Sequence, residues 1–291
     1  MLGNHLFGVY EKALNSGDDW PTRLRKVREA GFDFIEICVD EQDFRIERLY
    51  QSGREIETFR RTVYEAGVPI NSMCLSAHRR FPFGSSDQQK REKAYEIMER
   101  AIMFAAAMGI RVIQLAGYDV YYEPSTAESR ARFLEGLSWS AGKAAHQQVM
   151  LGVEIMDTEL ISSIARYLSF FEQIKSPWFK LYPDLGNLAA WGNDVCEELQ
   201  IGIGDIVGVH VKDTRAVTPE FSGQFKLVPF GKGCVDFVKC FSTLDHLRYT
   251  GPYLLEMWHE NGSDDLSAIA SAKAFIEEQY AQSVHERSDR K

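Results

Sequence analysis

The chain has 291 residues, 45% of them hydrophobic, and a formal net charge of −9. Such a length and apolar content suit one large α/β domain that buries its core without disulfides. The acidic balance lacks the basic surplus of a duplex-binding protein, so no nucleic-acid partner is expected.

Strand-like and helix-like segments alternate along the whole chain. Residues 6–10 read as a strand and 20–30 as a helix stopped by Gly31. Residues 32–38, rich in aromatic and β-branched side chains, read as the second strand, and 55–66 as a helix stopped by Gly67. The third strand, 69–75, precedes a long helix over 88–108 that Gly109 ends, and 111–115 is the fourth strand. Glycine just past a helix end, followed at once by a strand, is the pattern of short αβ loops. The second half keeps the phase. Helices are predicted over 126–148, 159–174, 194–199, 236–247 and 264–282, and strands over 150–155, 179–182, 206–211 and 253–256. Eight strand–helix units in this length predict a single (β/α)8 TIM barrel over residues 1–282, with a polar tail over 283–291. A doubly wound open sheet is the weaker reading. Its first turn usually carries G-x-G-x-x-G, and here that turn is Gly8-Val-Tyr-Glu-Lys12.

Five cysteines, odd in number and without a C-x-x-C pair, read as reduced thiols. No run of about twenty apolar residues is present, and the start MLGNHLFGVYEK has no basic region leading into an apolar stretch. A cytoplasmic location with no membrane partner is therefore expected. A homodimer is expected only by analogy with other barrels.

The last four strands end alike. Leu151-Gly-Val-Glu154, Phe179-Lys-Leu-Tyr-Pro-Asp184, Ile206-Val-Gly-Val-His210 and Tyr253-Leu-Leu-Glu256 are apolar runs closed by a metal-binding side chain. A polar residue at one strand end is as readily a helix cap as a ligand. Four at equivalent places on consecutive strands converge on one barrel mouth. Three carboxylates and one imidazole suit a single divalent ion, and zinc, manganese, magnesium and cobalt all satisfy that set. Such an ion beside two glutamates suits a ketose. The metal stabilises the enediolate left when a C–H next to the carbonyl loses its proton. One carboxylate removes that proton and a second returns it to the opposite face.

These runs, together with Glu154-Ile-Met-Asp-Thr158, Tyr182-Pro-Asp-Leu-Gly-Asn187, His210-Val-Lys-Asp-Thr214, Pro229-Phe-Gly-Lys-Gly-Cys-Val-Asp-Phe237 and Leu255-Glu-Met-Trp258, resemble the xylose-isomerase-like sugar isomerases and epimerases. Three further stretches are more specific: Gly8-Val-Tyr-Glu-Lys-Ala-Leu14, Ser72-Met-Cys-Leu-Ser-Ala-His-Arg-Arg-Phe-Pro82 and Arg111-Val-Ile-Gln-Leu-Ala-Gly-Tyr-Asp-Val-Tyr-Tyr122. They resemble the L-xylulose 5-phosphate 3-epimerases of L-ascorbate utilisation. The resemblance implies that Glu154, Asp184, His210 and Glu256 are the metal ligands and that Glu154 and Glu256 are the acid–base pair. It also implies interconversion of L-ribulose 5-phosphate and L-xylulose 5-phosphate, a small-molecule pentulose phosphate being the partner. The chain departs from 3-epimerases of free ketoses at two places. Asn187 stands where those carry His, and Thr158-Glu159 only approximates their second Glu.

A phosphate needs an anion site. Lys12, after strand one, and Arg79 with Arg80, after strand three, share the rim, where arginine forks and helix N-termini suit phosphate. Gly231-Lys-Gly233 is the alternative, weakened because relatives of unphosphorylated sugars carry it too. His78, Lys212 and Asn187 are further candidate substrate contacts, Lys212 having Asp213 as an alternative partner. Rival functions remain on the same scaffold. An aldose–ketose isomerase or a polyol dehydratase would use the same ligands. An apurinic-site endonuclease needs several more strand-end histidines than His78 and His210. A non-catalytic sugar binder would be expected to have lost a ligand, and none is missing.

Overall fold

The computed structural model describes residues 1–288. Its eight strands are β1 (Phe7–Tyr10), β2 (Phe34–Val39), β3 (Ile70–Leu75), β4 (Val112–Ala116), β5 (Met150–Glu154), β6 (Phe179–Tyr182), β7 (Val209–Val211) and β8 (Tyr253–Leu255). They are short and buried on both faces, as strands of a parallel barrel must be. All neighbours are parallel, in the order β6-β5-β4-β3-β2-β1-β8-β7. The ring closes between β6 and β7 through two parallel bridges, Leu181 with Ile206 and Asp184 with His210. There the His210 N–H donates to the Pro183 carbonyl at 2.9 Å. The closing seam thus sets two of the expected ligands side by side.

Among the described residues ten α-helices accompany the strands: α1 (Trp20–Glu29), α2 (Asp43–Ile46), α3 (Gly53–Ala66), α4 (Gln88–Met108), α5 (Ala127–Gln147), α6 (Ile164–Phe170), α7 (Leu185–Ala190), α8 (Val195–Gly202), α9 (Phe237–His246) and α10 (Asp265–Ser288). Local chemistry sets their ends. Asp19 accepts from the Thr22 N–H to cap α1, and Ser52 with Glu55 forms a reciprocal capping box on α3; each such cap stabilises by about 1 kcal/mol. Gly109, at φ 75°, ends α4 in the left-handed conformation that a side chain resists. The buried stripe Ala94, Ile97, Met98, Ala101, Ile102 and Ala105 lays α4 against the barrel wall.

The structure departs from expectation in several places. The helix predicted over 159–174 begins only at Ile164. Ser163 caps it, and the Glu198 carboxylate takes the Ile164 and Ala165 N–H groups, so the chain before it is turned. The strand predicted over 206–211 narrows to β7, leaving Ile206 as a single bridge. α7 was not foreseen; the Asp184 carboxylate starts it by accepting from the Asn187 N–H at 2.8 Å. Finally, α10 runs past residue 282 to Ser288, with Ser283 buried, so the expected polar tail is helix as far as it is described. Residues 289–291 of that tail lie outside the described residues.

Candidate metal centre

Glu154 ends β5, Asp184 lies two residues past β6, His210 is the middle residue of β7 and Glu256 directly follows β8. All four side chains meet in the barrel mouth. Asp184 and His210 are 0% exposed, Glu154 6% and Glu256 7%. One ligating atom from each lies within 4.8 Å of all the others, and among the described residues no other such group is found. His210 Nδ1 is 3.0 Å from Glu154 Oε1, 3.8 Å from Glu256 Oε2 and 3.9 Å from Asp184 Oδ2.

Three carboxylates packed this tightly out of water repel one another, and the electrostatics follow. Burial raises the Asp184 carboxyl to about 7 despite Lys212. Burial also raises Glu154, with the charge of Glu256 adding to it. Burial alone would raise Glu256 as well, but Lys212 and His210 outweigh it and hold that group at about 2. Burial would lower His210; the surrounding carboxylates more than reverse this and keep the imidazole cationic well above its usual range. The Lys212 ammonium lies 2.8 Å from both Asp184 Oδ2 and Glu256 Oε2, and those two buried oxygens accept no other hydrogen bond. The cluster therefore asks for positive charge, and part of it is met by the chain's own lysine. Hard oxygens and one imidazole at this spacing fit a divalent ion.

Two residues that support the cluster went unrecognised in the sequence. Glu36, fully buried in the middle of β2, lies with Oε1 3.3 Å from His210 Nε2. Donating Nε2–H to this carboxylate turns Nδ1 toward the other three ligands, the arrangement that commonly orients metal-binding imidazoles. Gln114 of β4 donates from Nε2 to Glu154 Oε2 at 2.5 Å. The only sequence signal was a charged and an amide side chain inside fully apolar strands, which buried polar groups do not occupy without partners.

The candidate substrate contacts divide. Lys12, Arg79, Asn187 and Lys212 line the pocket over the cluster. Asn187 gives its amide N–H to the Ile155 carbonyl at 2.8 Å and keeps its buried oxygen unpaired. Lys212 pairs with Asp184 and Glu256, and not with Asp213, whose carboxylate is taken by the Gly231 and Gly233 N–H groups at 2.9 Å each. That arrangement also disposes of Gly231-Lys-Gly233 as an anion cradle, because two of its donors face a carboxylate. A Cβ at Gly233 would fall 2.0 Å from Asp213 Oδ1, so this close approach requires glycine. His78 and Arg80 lie outside the pocket lining. His78 is buried against the Phe83 ring, with Nε2 3.2 Å from the Ala94 carbonyl. Arg80 points to solvent and pairs with Asp43 at 2.7 Å. Arg79 is the last residue of a short 3-10 turn over Ala77–Arg79 and Arg80 follows it, yet only Arg79 lines the pocket. Lys226, from the connection after β7, also lines the pocket and was not foreseen.

The xylose isomerase-like TIM barrel family matches residues 24–279. SgbU of Escherichia coli K12 is 52% identical over 276 residues, covering 95% of this chain and 96% of that one. The L-ribulose-5-phosphate 3-epimerase UlaE of Escherichia coli K12 is 50% identical over 282 residues, 97% of each. Among solved structures, that of an L-ribulose 3-epimerase superposes with a TM-score of 0.76 at 19% identity, over 97% of this chain and 96% of that one. At such identity the likeness is one of fold.

Proposed function

The chain belongs to the xylose isomerase-like TIM barrels and, within them, to the L-ribulose-5-phosphate 3-epimerases, and we propose that it interconverts L-ribulose 5-phosphate and L-xylulose 5-phosphate by inverting C3. The observation that carries this reading is the convergence of Glu154, Asp184, His210 and Glu256 at one barrel mouth, in a chain half identical to UlaE along nearly its full length.

A divalent ion held by these four residues would supply Lewis acidity for the negative charge that develops on the C2 oxygen. The chain's own residues account for the rest. Glu154 ends β5 and Glu256 follows β8, and a ketose bound between them would have one carboxylate toward each face. One takes the C3 proton, the electron pair of that bond becomes the C2–C3 double bond of a cis-enediolate, and the other carboxylate delivers a proton to the opposite face. The roles exchange with reaction direction. Gln114 fixes Glu154 by holding Oε2, and Lys212 keeps Glu256 ionised. The unpaired oxygens of Asn187 and Gln114 are placed to accept from sugar hydroxyls. Lys12 and Arg79 are the cations for the 5-phosphate.

Incubation with L-xylulose 5-phosphate in heavy water tests the reading. L-ribulose 5-phosphate carrying one deuterium at C3, with no aldose and no loss of water, is the expected product. Label at C1 with aldose formation would establish the isomerase instead.

A further inference from the structure

We propose that Lys226 is a phosphate-holding residue of this enzyme, acting with Arg79 and Lys12 of the same pocket and selecting ketoses that carry a 5-phosphate. The assignment rests on the epimerase reading above and adds to it the residue that determines specificity.

Three observations carry it. First, Lys226 is half-buried in the same pocket as the metal cluster, with Nζ 5.6 Å from the Trp258 ring. Second, its charge is uncommitted. Among the described residues no carboxylate forms an ion pair with it, whereas Lys12 is engaged by Asp40 at 2.6 Å. Arg79 is in the same condition as Lys226. Its guanidinium lies over the Tyr121 ring at 4.5 Å, and its Nε is buried without a hydrogen-bond acceptor. Burial and the positive charges of Arg79 and Lys212 hold the Lys226 ammonium below its ordinary pKa, although Asp157 and Glu256 act the other way. A chain of net charge −9 has carboxylates to spare, yet it leaves two cations of one pocket without an ion pair. Such repulsion is unfavourable unless an anion enters between them, and a phosphate accepts several charge-assisted hydrogen bonds at once.

Third, the backbone around Lys226 is built to present it. Arg215 and Gln224 exchange N–H···O bonds at 2.8 and 3.1 Å, and the Gln224 amide donates to the Lys226 carbonyl at 3.0 Å. The next residue, Leu227, takes φ 55°, a conformation that a branched side chain avoids. Leu227 is itself 54% exposed, so the strain does not serve its own burial. Lys226, directly before this residue, lines the pocket over the metal cluster.

The test uses the metal-loaded enzyme with Lys226→Gln, Lys226→Arg and Arg79→Gln variants. The readouts are KM for L-xylulose 5-phosphate, inhibition by inorganic phosphate, and broadening of the phosphate phosphorus resonance on binding. Lys226→Gln is expected to raise KM and the phosphate inhibition constant together by about tenfold or more, the usual cost of losing a hydrogen bond to a charged group. Lys226→Arg should recover most of both. Unchanged KM and phosphate binding in Lys226→Gln would overturn the assignment. So would equal losses in the glutamine and arginine variants accompanied by a lower Tm, since the residue would then be structural. Failure of the wild-type enzyme to act on any ketopentose 5-phosphate would overturn the epimerase reading alone, because the phosphorus linewidth still tests Lys226 without turnover.

Discussion

Glu36→Gln is the substitution that best probes how the centre is assembled. Glu36 touches no expected substrate position; its one polar partner is His210 Nε2, 3.3 Å away and fully buried. Glutamine has the same shape and its carbonyl oxygen still accepts from Nε2, so packing in β2 is preserved and the change is one of charge. A neutral acceptor holds the imidazole less firmly and makes Nδ1 a weaker donor. Loss of such an outer partner typically weakens metal binding about 10- to 100-fold. That corresponds to roughly 1.4–2.7 kcal/mol, within the contribution of a hydrogen bond to a charged group. The assay is competition for the divalent ion against a chromophoric chelator, with Tm recorded alongside. The expected result is the weaker affinity at a Tm within a few degrees of wild type. Metal affinity within twofold of wild type would refute the claim that Glu36 orients His210.

Three further outcomes follow from the same geometry. Lys212→Met removes the ammonium that lies 2.8 Å from both Asp184 and Glu256; the metal-free protein should lose about 3–5 kcal/mol of stability, as expected for a broken buried ion pair, and added divalent ion should recover more Tm in the variant than in wild type. His78 is buried as the neutral imidazole and its pKa falls to about 4. Between 4 and the ordinary 6.5 the unfolded chain binds the extra proton, so this contribution is complete above 6.5 and is lost as pH falls toward 4. It amounts to about 3 kcal/mol, and urea titrations at pH 7 and pH 4.5 should show a steeper fall for wild type than for His78→Asn. Arg80→Ala should leave KM for the pentulose phosphate within twofold, because that side chain is exposed and paired with Asp43; a tenfold rise would return Arg80 to the phosphate site.

The cluster of Glu154, Asp184, His210 and Glu256 was readable because barrel geometry is periodic. Once Gly31, Gly67 and Gly109 had marked the helix ends, the phase of eight strands followed, and residues at equivalent strand ends had to share a mouth. Where the sequence fell short, the decisive contact was made across the barrel or within a long connection. Glu36 and Gln114 stand inside apolar strands, which announces a partner without naming it; His210 and Glu154 are 174 and 40 residues away respectively. Lys226 lies in the long connection after β7, between the Arg215–Gln224 bridge and the left-handed Leu227, neither of which leaves a periodic trace. Arg79 and Arg80 are adjacent in sequence, which does not reveal that only the first, at the end of a 3-10 turn, lines the pocket. Asp184 was read as a ligand and serves also as the cap of α7, a dual role that hid the short helix behind it.

Anomalous diffraction from crystals grown with manganese tests the central claim most directly. The account predicts one ion per chain, ligated together by Glu154, Asp184, His210 and Glu256, with the Lys212 ammonium moved away from the carboxylates it now bridges. An ion bound elsewhere, or held without both Asp184 and His210, would contradict it.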